Sequence, residues 1–323
     1  MKLVLRCLLA CWAGVAGAND TLIVVQKYQN SVGMYDTRTG EAVAEIPVGL
    51  KPHELTLSAD KRFAYVTDYG LDRWTETTPG GNTVSIVDLR KRKKVGEIKL
   101  GKYRRPHGIE LGESGRLYVS CDQPPAVLVL DPARRRVVRA YEIGQKAPHM
   151  VAVTRDERKA FSANSGSGSV TAIDLQTGSH ASLDVGGIPM GLAFNANESR
   201  LYVVTRTGNE LVEIDAHGHR ITRRLEIAGH PVRLKLAPDA RRMLVSLIDS
   251  GEAAVVNLET WKVERRLRCG THAEGISFDA EGGFAFVSAQ GDARVHKFAI
   301  EDWRPVLEIR TGQRPDTSAV FRR

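Results

Sequence analysis

The chain has 323 residues and carries 46 lysines and arginines against 38 acidic residues, for a formal net charge of +8. After the first eighteen residues no apolar stretch is long enough to span a bilayer. Without a Cys-x-x-Cys-His motif, the chain cannot attach haem covalently. The length alone allows two domains, so the organisation has to be found in the residue pattern.

The N-terminus is typical of a secretory signal peptide. Lys2 and Arg6 precede an apolar stretch, and the small residues at positions 16 and 18 suit a cleavage site before Asn19. We therefore expect residues 1–18 to be removed and the protein to be periplasmic or secreted. Alternatively, Leu8-Leu9-Ala10-Cys11 is a lipoprotein box, and the protein is lipid-anchored through Cys11.

A proline recurs along the rest of the chain at nearly constant spacing. After a longer first interval of 54 residues the spacing is 41 or 42, through Pro52, Pro106, Pro148, Pro189, Pro231, the degenerate Ala273 and Pro315. Such a period is characteristic of β-propeller blades, in which each repeat is one four-stranded antiparallel sheet. Between two of these prolines the sequence predicts strands over 107–111, 116–120, 128–131 and 137–143, with turn-forming residues between them.

The repeat begins out of phase, which predicts how the ring closes. Residues 21–27 match a second strand, whereas residues 315–321 supply only a first strand. The C-terminal strand should therefore complete the N-terminal blade and remove exposed sheet edges, which favour aggregation. The sequence thus predicts an all-β, seven-bladed propeller with four antiparallel strands per blade, formed by residues 19–323 as one domain.

Several repeat segments carry a family resemblance. They are Leu201-Tyr202-Val203-Val204-Thr205, Lys51-Pro52-His53-Glu54, Arg105-Pro106-His107-Gly108-Ile109 and Asn164-Ser165-Gly166-Ser167-Gly168-Ser169-Val170. With these segments the chain resembles the YVTN-repeat family of bacterial β-propellers, especially its YncE-like members. The resemblance implies the fold and leaves the activity open, because propellers host binding proteins and several classes of enzyme.

The strand directions bring the starts of the innermost strands and the ends of the second strands to one face of the disc, here called the upper face. The residue after each repeat proline, or after Ala273, is His53, His107, His149, Met190, Val232, Glu274 or Asp316. These side chains should converge on the central channel. Neutral imidazole and carboxylate suit divalent metals and iron. We therefore predict a metal site at His53, His107, His149 and Glu274, or a cofactor site at the three histidines.

The histidines also have a second interpretation, as blade-junction residues. A histidine after proline can hydrogen-bond to the backbone of the neighbouring blade and simply set the blade spacing. The width of a seven-bladed channel would also suit a planar cofactor or a water-filled pocket better than one bare ion. The sequence leaves both interpretations open.

Further side chains are predicted on the upper face: Glu54, Asp68, Trp74, Arg105, Asp122, Asn164, Met190, Arg206, Gln290 and Asp316. Most of the extra residues in the first interval fall in 68–82, and a long loop among short ones is typically functional. Together with residues 102–105, this loop would form an aromatic and basic lid over His53 and His107.

The remaining basic residues and the cysteines are interpreted as structural features without a dedicated ligand. Basic residues cluster in the hairpins between third and fourth strands, such as 91–94 and 134–136, on the opposite face. They could attract nucleic acid or an anionic surface, although solvated turns are the preferred interpretation. Cys121 and Cys269 fall in non-neighbouring blades and should not form a disulfide.

Two classes of function follow. The first is an exported, monomeric binding or scaffold protein that holds a small-molecule ligand, a metal or a protein partner at the upper face. The second is a lactonase-like or haem-binding propeller, with His53, His107 or His149 as the axial ligand. Because the chain has no nucleophile elbow and no cofactor fingerprint, the sequence favours binding over catalysis. A divalent metal and haem both remain candidate cofactors.

Overall fold

The protein folds into a ring of seven four-stranded antiparallel sheets, as the repeat predicts. The computed structural model describes residues 20–73 and 75–322, so the predictions about the signal peptide, Cys11 and Trp74 lie outside the described residues. Within this part of the chain, one 3-10 turn over Lys27–Gln29 is the only helical segment. No helix in it is long and apolar enough to cross a membrane.

The strands follow one another in chain order, four to each sheet after the first three. The first seven are β1 (Asp20–Gln26), β2 (Ser31–Asp36), β3 (Ala42–Pro47), β4 (Pro52–Leu57), β5 (Phe63–Asp68), β6 (Thr83–Asp88) and β7 (Lys93–Lys99). The next two sheets contain β8 (Arg104–Leu111), β9 (Leu117–Gln123), β10 (Pro125–Asp131), β11 (Arg136–Glu142), β12 (Pro148–Val153), β13 (Lys159–Asn164), β14 (Ser169–Asp174) and β15 (His180–Asp184).

The remaining strands complete three sheets and return to the first. They are β16 (Pro189–Phe194), β17 (Arg200–Thr205), β18 (Glu210–Asp215), β19 (Arg220–Glu226), β20 (Pro231–Leu236), β21 (Arg242–Leu247), β22 (Glu252–Asn257), β23 (Lys262–Arg268), β24 (Ala273–Phe278), β25 (Phe284–Ala289), β26 (Arg294–Ala299), β27 (Pro305–Arg310) and β28 (Pro315–Arg322).

The C-terminal strand closes the ring. β28 pairs antiparallel with β1, with Leu22 opposite Val320 and Thr21 opposite Phe321, and the first sheet has the order β28-β1-β2-β3. The prediction made from the phase of the repeat is therefore confirmed. The closing strand also carries Asp316 into the channel, so ring closure and the candidate site depend on the same segment.

The core lies between neighbouring blades, because each sheet buries apolar side chains against the next sheet. Tyr65 and Ile98 from the β4–β7 sheet pack with Ile109 and Leu128 from the β8–β11 sheet. Burying an aliphatic side chain of this size contributes about 1.5 to 3 kcal/mol. The outermost strands are mostly exposed, as the pattern of β11 illustrates.

The two cysteines in the described part of the chain are structural. Cys121 and Cys269 are fully buried, and neither forms a disulfide, as predicted. Burial raises the pKa of both thiols, that of Cys269 to about 12. Both therefore behave as small apolar groups in the folded protein.

Hydroxyl groups tie the blades together beside the predicted site. Thr67 Oγ1 donates to the His107 carbonyl at 2.9 Å, and Ser120 Oγ donates to the His149 carbonyl at 2.5 Å. Gly108 permits this close approach, because a Cβ at that position would lie 2.7 Å from the His149 oxygen. The backbone that carries the histidines is thus fixed by bonds between blades.

Candidate binding site at the channel mouth

The central channel opens on the upper face into a cavity of about 570 Å³. All seven residues predicted to converge on the channel line this cavity, through His53, His107, His149, Met190, Val232, Glu274 and Asp316. They do so because each follows the start of an innermost strand, and the seven innermost strands surround one axis. The repeat therefore places one side chain per blade at the mouth of the channel.

The three histidines form a stack on one side of the cavity. The ring centroids of His53 and His107 are 4.0 Å apart, and those of His107 and His149 are 3.9 Å apart. Tyr69 meets the His107 ring edge-on at 5.0 Å. All three imidazoles are buried, so the stack forms a preformed wall of nitrogen donors and aromatic faces.

The three imidazoles differ in their partners. His149 Nδ1 donates to the Met190 carbonyl on the next blade at 3.2 Å, which is the bond expected of a blade-junction residue. His53 Nδ1 lies 2.9 Å from Asp316 Oδ2. His107 Nδ1 is buried and has no hydrogen-bond partner among residues 20–73 and 75–322. Leaving this buried nitrogen without a partner costs stability.

Burial keeps the histidines uncharged. It lowers the pKa of His53, and it lowers the pKa values of His107 and His149 well below the ordinary value of 6.5. The charge of Arg233 adds to this effect at His107 and His149. At neutral pH the stack therefore presents neutral imidazoles, the form that binds metal ions.

One guanidinium lies among three buried carboxylates next to the stack. Arg233 Nη2 contacts the carboxylate of Glu54, which also accepts a hydrogen bond from the Thr317 hydroxyl. The same nitrogen lies 3.4 Å from Glu274 Oε1 and 3.7 Å from Asp316 Oδ1. The four groups, here called the Arg233 cluster, come from four different innermost strands, so the cluster joins opposite sides of the ring.

The carboxylates of the Arg233 cluster differ in their protonation. Burial raises the pKa of Glu274 to about 7, although Arg233 opposes the shift. Burial acts in the same direction on Asp316, but the neighbouring His53, Arg233 and Lys27 hold the pKa of that carboxyl below its usual value. Asp316 is therefore ionised at neutral pH, whereas Glu274 lies close to its titration point.

A tyrosine and a carboxylic acid form a second buried pair beside the histidines. The Tyr69 hydroxyl donates to Asp122 Oδ2 at 2.9 Å. Burial raises the pKa of Asp122 to about 7 and also raises that of Tyr69. Lys27 lies over the Tyr69 ring, with Nζ 5.6 Å from its centroid. Burial lowers the pKa of Lys27.

The long loop after β5 borders the cavity. Asp72, Arg73 and Thr75 line it, and Arg105 holds the loop by donating to the carbonyls of Glu76 and Thr78, each at 2.7 Å. The loop thus lies where the sequence predicts a lid. The segment before Arg105 lies elsewhere, because Tyr103 packs in the core and Lys102 pairs with Glu142 at 2.8 Å.

Not all residues predicted on the upper face reach the cavity. Arg206 and Gln290 line it. Asp68 instead accepts hydrogen bonds inside its own blade from Thr83 and Ser85, and Asn164 donates to Thr171 in the same way. Both are buried at the ends of second strands, so their side chains hold neighbouring strands of one sheet together.

Sequence reasoning missed Lys27, Tyr69 and Arg233. Of these, Arg233 carries a signal in the repeat. In the position after the converging residue the seven blades have Glu54, Gly108, Met150, Gly191, Arg233, Gly275 and Thr317. Two opposite charges among otherwise uncharged residues at equivalent positions indicate an ion pair across the channel.

The described residues include one group with the composition and spacing of a metal site. Donor atoms of His53, Glu54 and His107 all lie within 4.8 Å of one another, and all three residues are buried. Two histidines and one carboxylate are a donor set suited to zinc or non-haem iron. The set differs from the sequence-based prediction, since it contains Glu54 and leaves out Glu274 and His149.

Fold and site together define a propeller with a histidine- and carboxylate-lined cavity at the mouth of its channel. The chain matches no protein-family model. The protein NirF of Pseudomonas aeruginosa is 23% identical in an alignment that covers 94% of this chain and 69% of NirF.

Solved structures share the fold. The periplasmic gluconolactonase PpgL of Pseudomonas aeruginosa matches with a TM-score of 0.74 at 18% identity, over 93% of this chain and 98% of PpgL. The dihydro-haem d1 dehydrogenase NirN, solved in complex with DHE, matches with a TM-score of 0.68 at 14% identity, over 92% of this chain and 74% of NirN.

Proposed function

We propose that the protein is a binding propeller that holds a haem-type tetrapyrrole in the cavity at the channel mouth. The observation that carries the proposal is the stack of three buried, uncharged imidazoles in a cavity of about 570 Å³. That volume lies within the range of roughly 300 to 1,000 Å³ typical of small-molecule and cofactor pockets. The similarity in fold to NirN, a dihydro-haem d1 dehydrogenase, supports a haem-type ligand.

The donor set fits such a ligand. Because His149 Nδ1 donates to the Met190 carbonyl, the lone pair of this neutral ring is on Nε2, where it can bind a metal. A hydrogen bond from the other ring nitrogen to a carbonyl is a common support for a ligating histidine. We therefore propose that His149 would hold the metal of the bound group through Nε2. Bound haem would supply an iron centre for electron transfer or for binding a further small ligand.

The wall of the cavity suits the carboxylates at the edge of a tetrapyrrole. Lys27, Arg73, Arg206 and Arg314 line it. Arg206 lies 3.7 Å from Asp249, and Arg314 packs on the Tyr28 ring at 5.3 Å. Arginine binds carboxylates with charge-assisted hydrogen bonds, so these side chains would orient the ligand while His149 holds its metal.

A second candidate function is the binding of one divalent metal ion by His53, Glu54 and His107. The specific observation in its favour is the convergence of their donor atoms within 4.8 Å, together with the unpartnered His107 Nδ1. In this case the ion would polarise a small ligand in the cavity as a Lewis acid. The two candidates predict different critical residues, His149 for the tetrapyrrole and Glu54 for the ion.

The test is a titration of the protein with hemin and, separately, with Zn²⁺, using single substitutions. His149→Ala should weaken hemin binding at least about tenfold, which is 1.4 kcal/mol. His180→Ala, an exposed histidine on β15, is the matched control and should bind as wild type does. Loss of Zn²⁺ binding in Glu54→Gln, with no hemin binding in any variant, would favour the second candidate.

The same substitutions test the blade-junction interpretation. If His149 only sets the blade spacing, His149→Ala should lower the unfolding temperature of the empty protein, because a partly buried hydrogen bond worth about 1 to 3 kcal/mol is lost. Ligand binding would then not depend on it. Because the bond to the Met190 carbonyl is lost in either case, the discriminating result is the affinity: a ligating role predicts a large loss of hemin binding in addition to the loss of stability.

We further propose that the protein is exported and belongs among the YVTN-repeat propellers. The leader at residues 1–18 and the repeat segments quoted above support this assignment. Mass spectrometry of the protein isolated from the periplasm should give a chain beginning at Asn19. A diacylglycerol on Cys11 would contradict cleavage at that position.

A further inference from the structure

We propose that the propeller docks on anionic phospholipid through the face opposite the cavity mouth, here called the lower face. The docking surface lies in the turn between β6 and β7 and in the equivalent turn between β10 and β11. It consists of seven exposed basic residues, here called the basic patch: Arg90, Lys91, Arg92, Lys93, Arg134, Arg135 and Arg136. This proposal goes beyond the function proposed for the upper cavity and involves different residues.

The basic residues are concentrated in two of seven equivalent turns. In the described part of the chain each sheet joins its third strand to its fourth by such a turn on the lower face. Residues 88–93 contain four basic residues and one acidic residue, and residues 131–136 contain three and one. The other five turns each contain at most one lysine or arginine and at least one acidic residue, over 36–42, 174–180, 215–220, 257–262 and 299–305. The fold therefore does not require basic residues at this place in the repeat.

The two basic turns form one continuous surface. They belong to neighbouring sheets, which pack against each other through their apolar side chains. Arg135 Nη2 donates to the carbonyl of Val95 on β7 at 3.4 Å. The same guanidinium covers Gly96, where a Cβ would lie 2.6 Å from Arg135 Nη1. Arg135 thus reaches from one sheet over the next and joins the two groups of charges.

Most of the charge on the basic patch is uncompensated. Among residues 20–73 and 75–322, six of the seven side chains have no carboxylate oxygen within 4.0 Å, and only Arg134 forms an ion pair, with Asp131 at 2.9 Å. Asp88 is buried under its turn, where it accepts the backbone amides of Arg90 and Lys91 at 3.1 and 2.9 Å. The basic side chains therefore face solvent without counterions.

Basic pairs in other sheets are neutralised instead. Arg223 on β19 pairs with Glu213 at 2.7 Å, and Arg266 on β23 pairs with Glu252 at 3.0 Å. In these positions the arginines hold neighbouring strands of one sheet together. The difference separates structural arginines from the basic patch, which the sequence alone does not do.

The composition of the basic patch favours a membrane surface over a protein partner. Protein interfaces are centred on buried aromatic or other apolar anchors. Of the large apolar side chains exposed in the described part of the chain, only Val138 belongs to a strand of these two sheets. Clustered lysines and arginines without such anchors suit a layer of anionic headgroups, which attracts them by charge alone. A protein docked in this way keeps its cavity mouth, on the upper face, free for ligand.

The test is co-sedimentation of the mature chain with vesicles of equal parts phosphatidylcholine and phosphatidylglycerol. A patch variant combines Lys91→Gln, Arg92→Gly, Lys93→Gln and Arg135→Gly. Glycine suits the φ of 51° at Arg92 and 52° at Arg135, so folding should be retained. Binding should weaken at least about a hundredfold in this variant, because each basic residue near an anionic surface strengthens binding roughly fivefold. High salt should weaken binding of the wild type as well.

The matched control removes four exposed arginines from the lower face of other sheets, each of which lies within 4.0 Å of a carboxylate oxygen. It combines Arg158→Gln, Arg220→Gln, Arg241→Gln and Arg304→Gln. The control lowers the net charge by the same amount as the patch variant but should bind the vesicles at close to the wild-type level. Both variants should unfold near the wild-type temperature and bind hemin as the wild type does.

Four results would overturn the proposal. The first is no binding to the anionic vesicles, and the second is equal binding to vesicles of phosphatidylcholine alone. The third is equal weakening in the patch variant and the control, which would show that net charge and not the basic patch is responsible. The fourth is binding of a polyglutamate peptide without binding of vesicles, which would assign the basic patch to an acidic protein partner.

Discussion

Replacing Arg233 with methionine should destabilise the protein more than replacing any exposed arginine. The substitution keeps the apolar stem and removes the one guanidinium that contacts Glu54 and lies 3.4 Å from Glu274 and 3.7 Å from Asp316. All four side chains are buried. The variant therefore leaves three buried carboxyl groups without their shared cation.

The expected loss follows from the geometry of the cluster. Breaking a buried ion pair by removing one partner costs about 3 to 5 kcal/mol. At about 2 °C per kcal/mol for a chain of this size, the unfolding temperature should fall by roughly 6 to 10 °C. Protonating Glu274 and Asp316 relieves the loss, because without Arg233 the pKa values of these two groups in the folded state rise. The variant should therefore be closest to wild type in acid and furthest from it above neutral pH.

The assay is thermal unfolding followed by circular dichroism at a series of pH values, with Arg241→Met as the matched control. Arg241 is 74% exposed and lies 3.7 Å from the equally exposed Glu259. Its loss should cost less than about 1 kcal/mol. An Arg233→Met protein that unfolds at the wild-type temperature above neutral pH would refute the view that Arg233 neutralises the channel carboxylates.

Three further outcomes are expected. Deleting residues 315–323 removes β28 and should yield aggregated protein, because two sheet edges are left open; a soluble monomer with wild-type unfolding would contradict closure by this strand. Burial raises the pKa of Glu274 from 4.5 to about 7, which costs the wild type about 3 kcal/mol of stability as the pH rises through that interval. As the pH rises from acid to neutral, the unfolding temperature of Glu274→Gln should therefore rise relative to that of the wild type. A difference between the two temperatures that stays constant with pH would argue against the raised pKa of Glu274. Cys121 and Cys269 should react with a thiol reagent only after unfolding, and rapid reaction of the folded mature chain would show that these thiols are accessible.

The sequence predicted the fold well because a propeller repeats one local pattern seven times. Prolines at intervals of 41 or 42 residues give the blade count, and the phase difference between the two ends gives closure through β28. Both signals follow from the order of the repeats along the chain and need no knowledge of which side chains meet in space. The observed strands differ from the predicted ones only at their ends. For example, β8 begins at Arg104, before the repeat proline.

The site was predicted only in part. The repeat determines which side chain of each blade points to the channel axis, but it does not determine which of these side chains contact each other across the axis. One residue per blade lines the upper cavity as expected. The contact of Glu54 with Arg233 joins residues 179 positions apart, and a blade-by-blade comparison does not tell which opposite blades meet. Asp68 was misleading for a related reason, since the end of a second strand can point into its own sheet.

The most direct test of the central claim is the absorption spectrum of the mature protein purified from the periplasm, recorded before and after addition of hemin. A tetrapyrrole held by His149 predicts a Soret band that is present on isolation or that forms with hemin and saturates at one equivalent. The band should be weakened or shifted in His149→Ala and unchanged in His180→Ala. A protein that remains colourless, with no Soret band after hemin is added, would contradict the proposal that the channel mouth binds a haem-type cofactor.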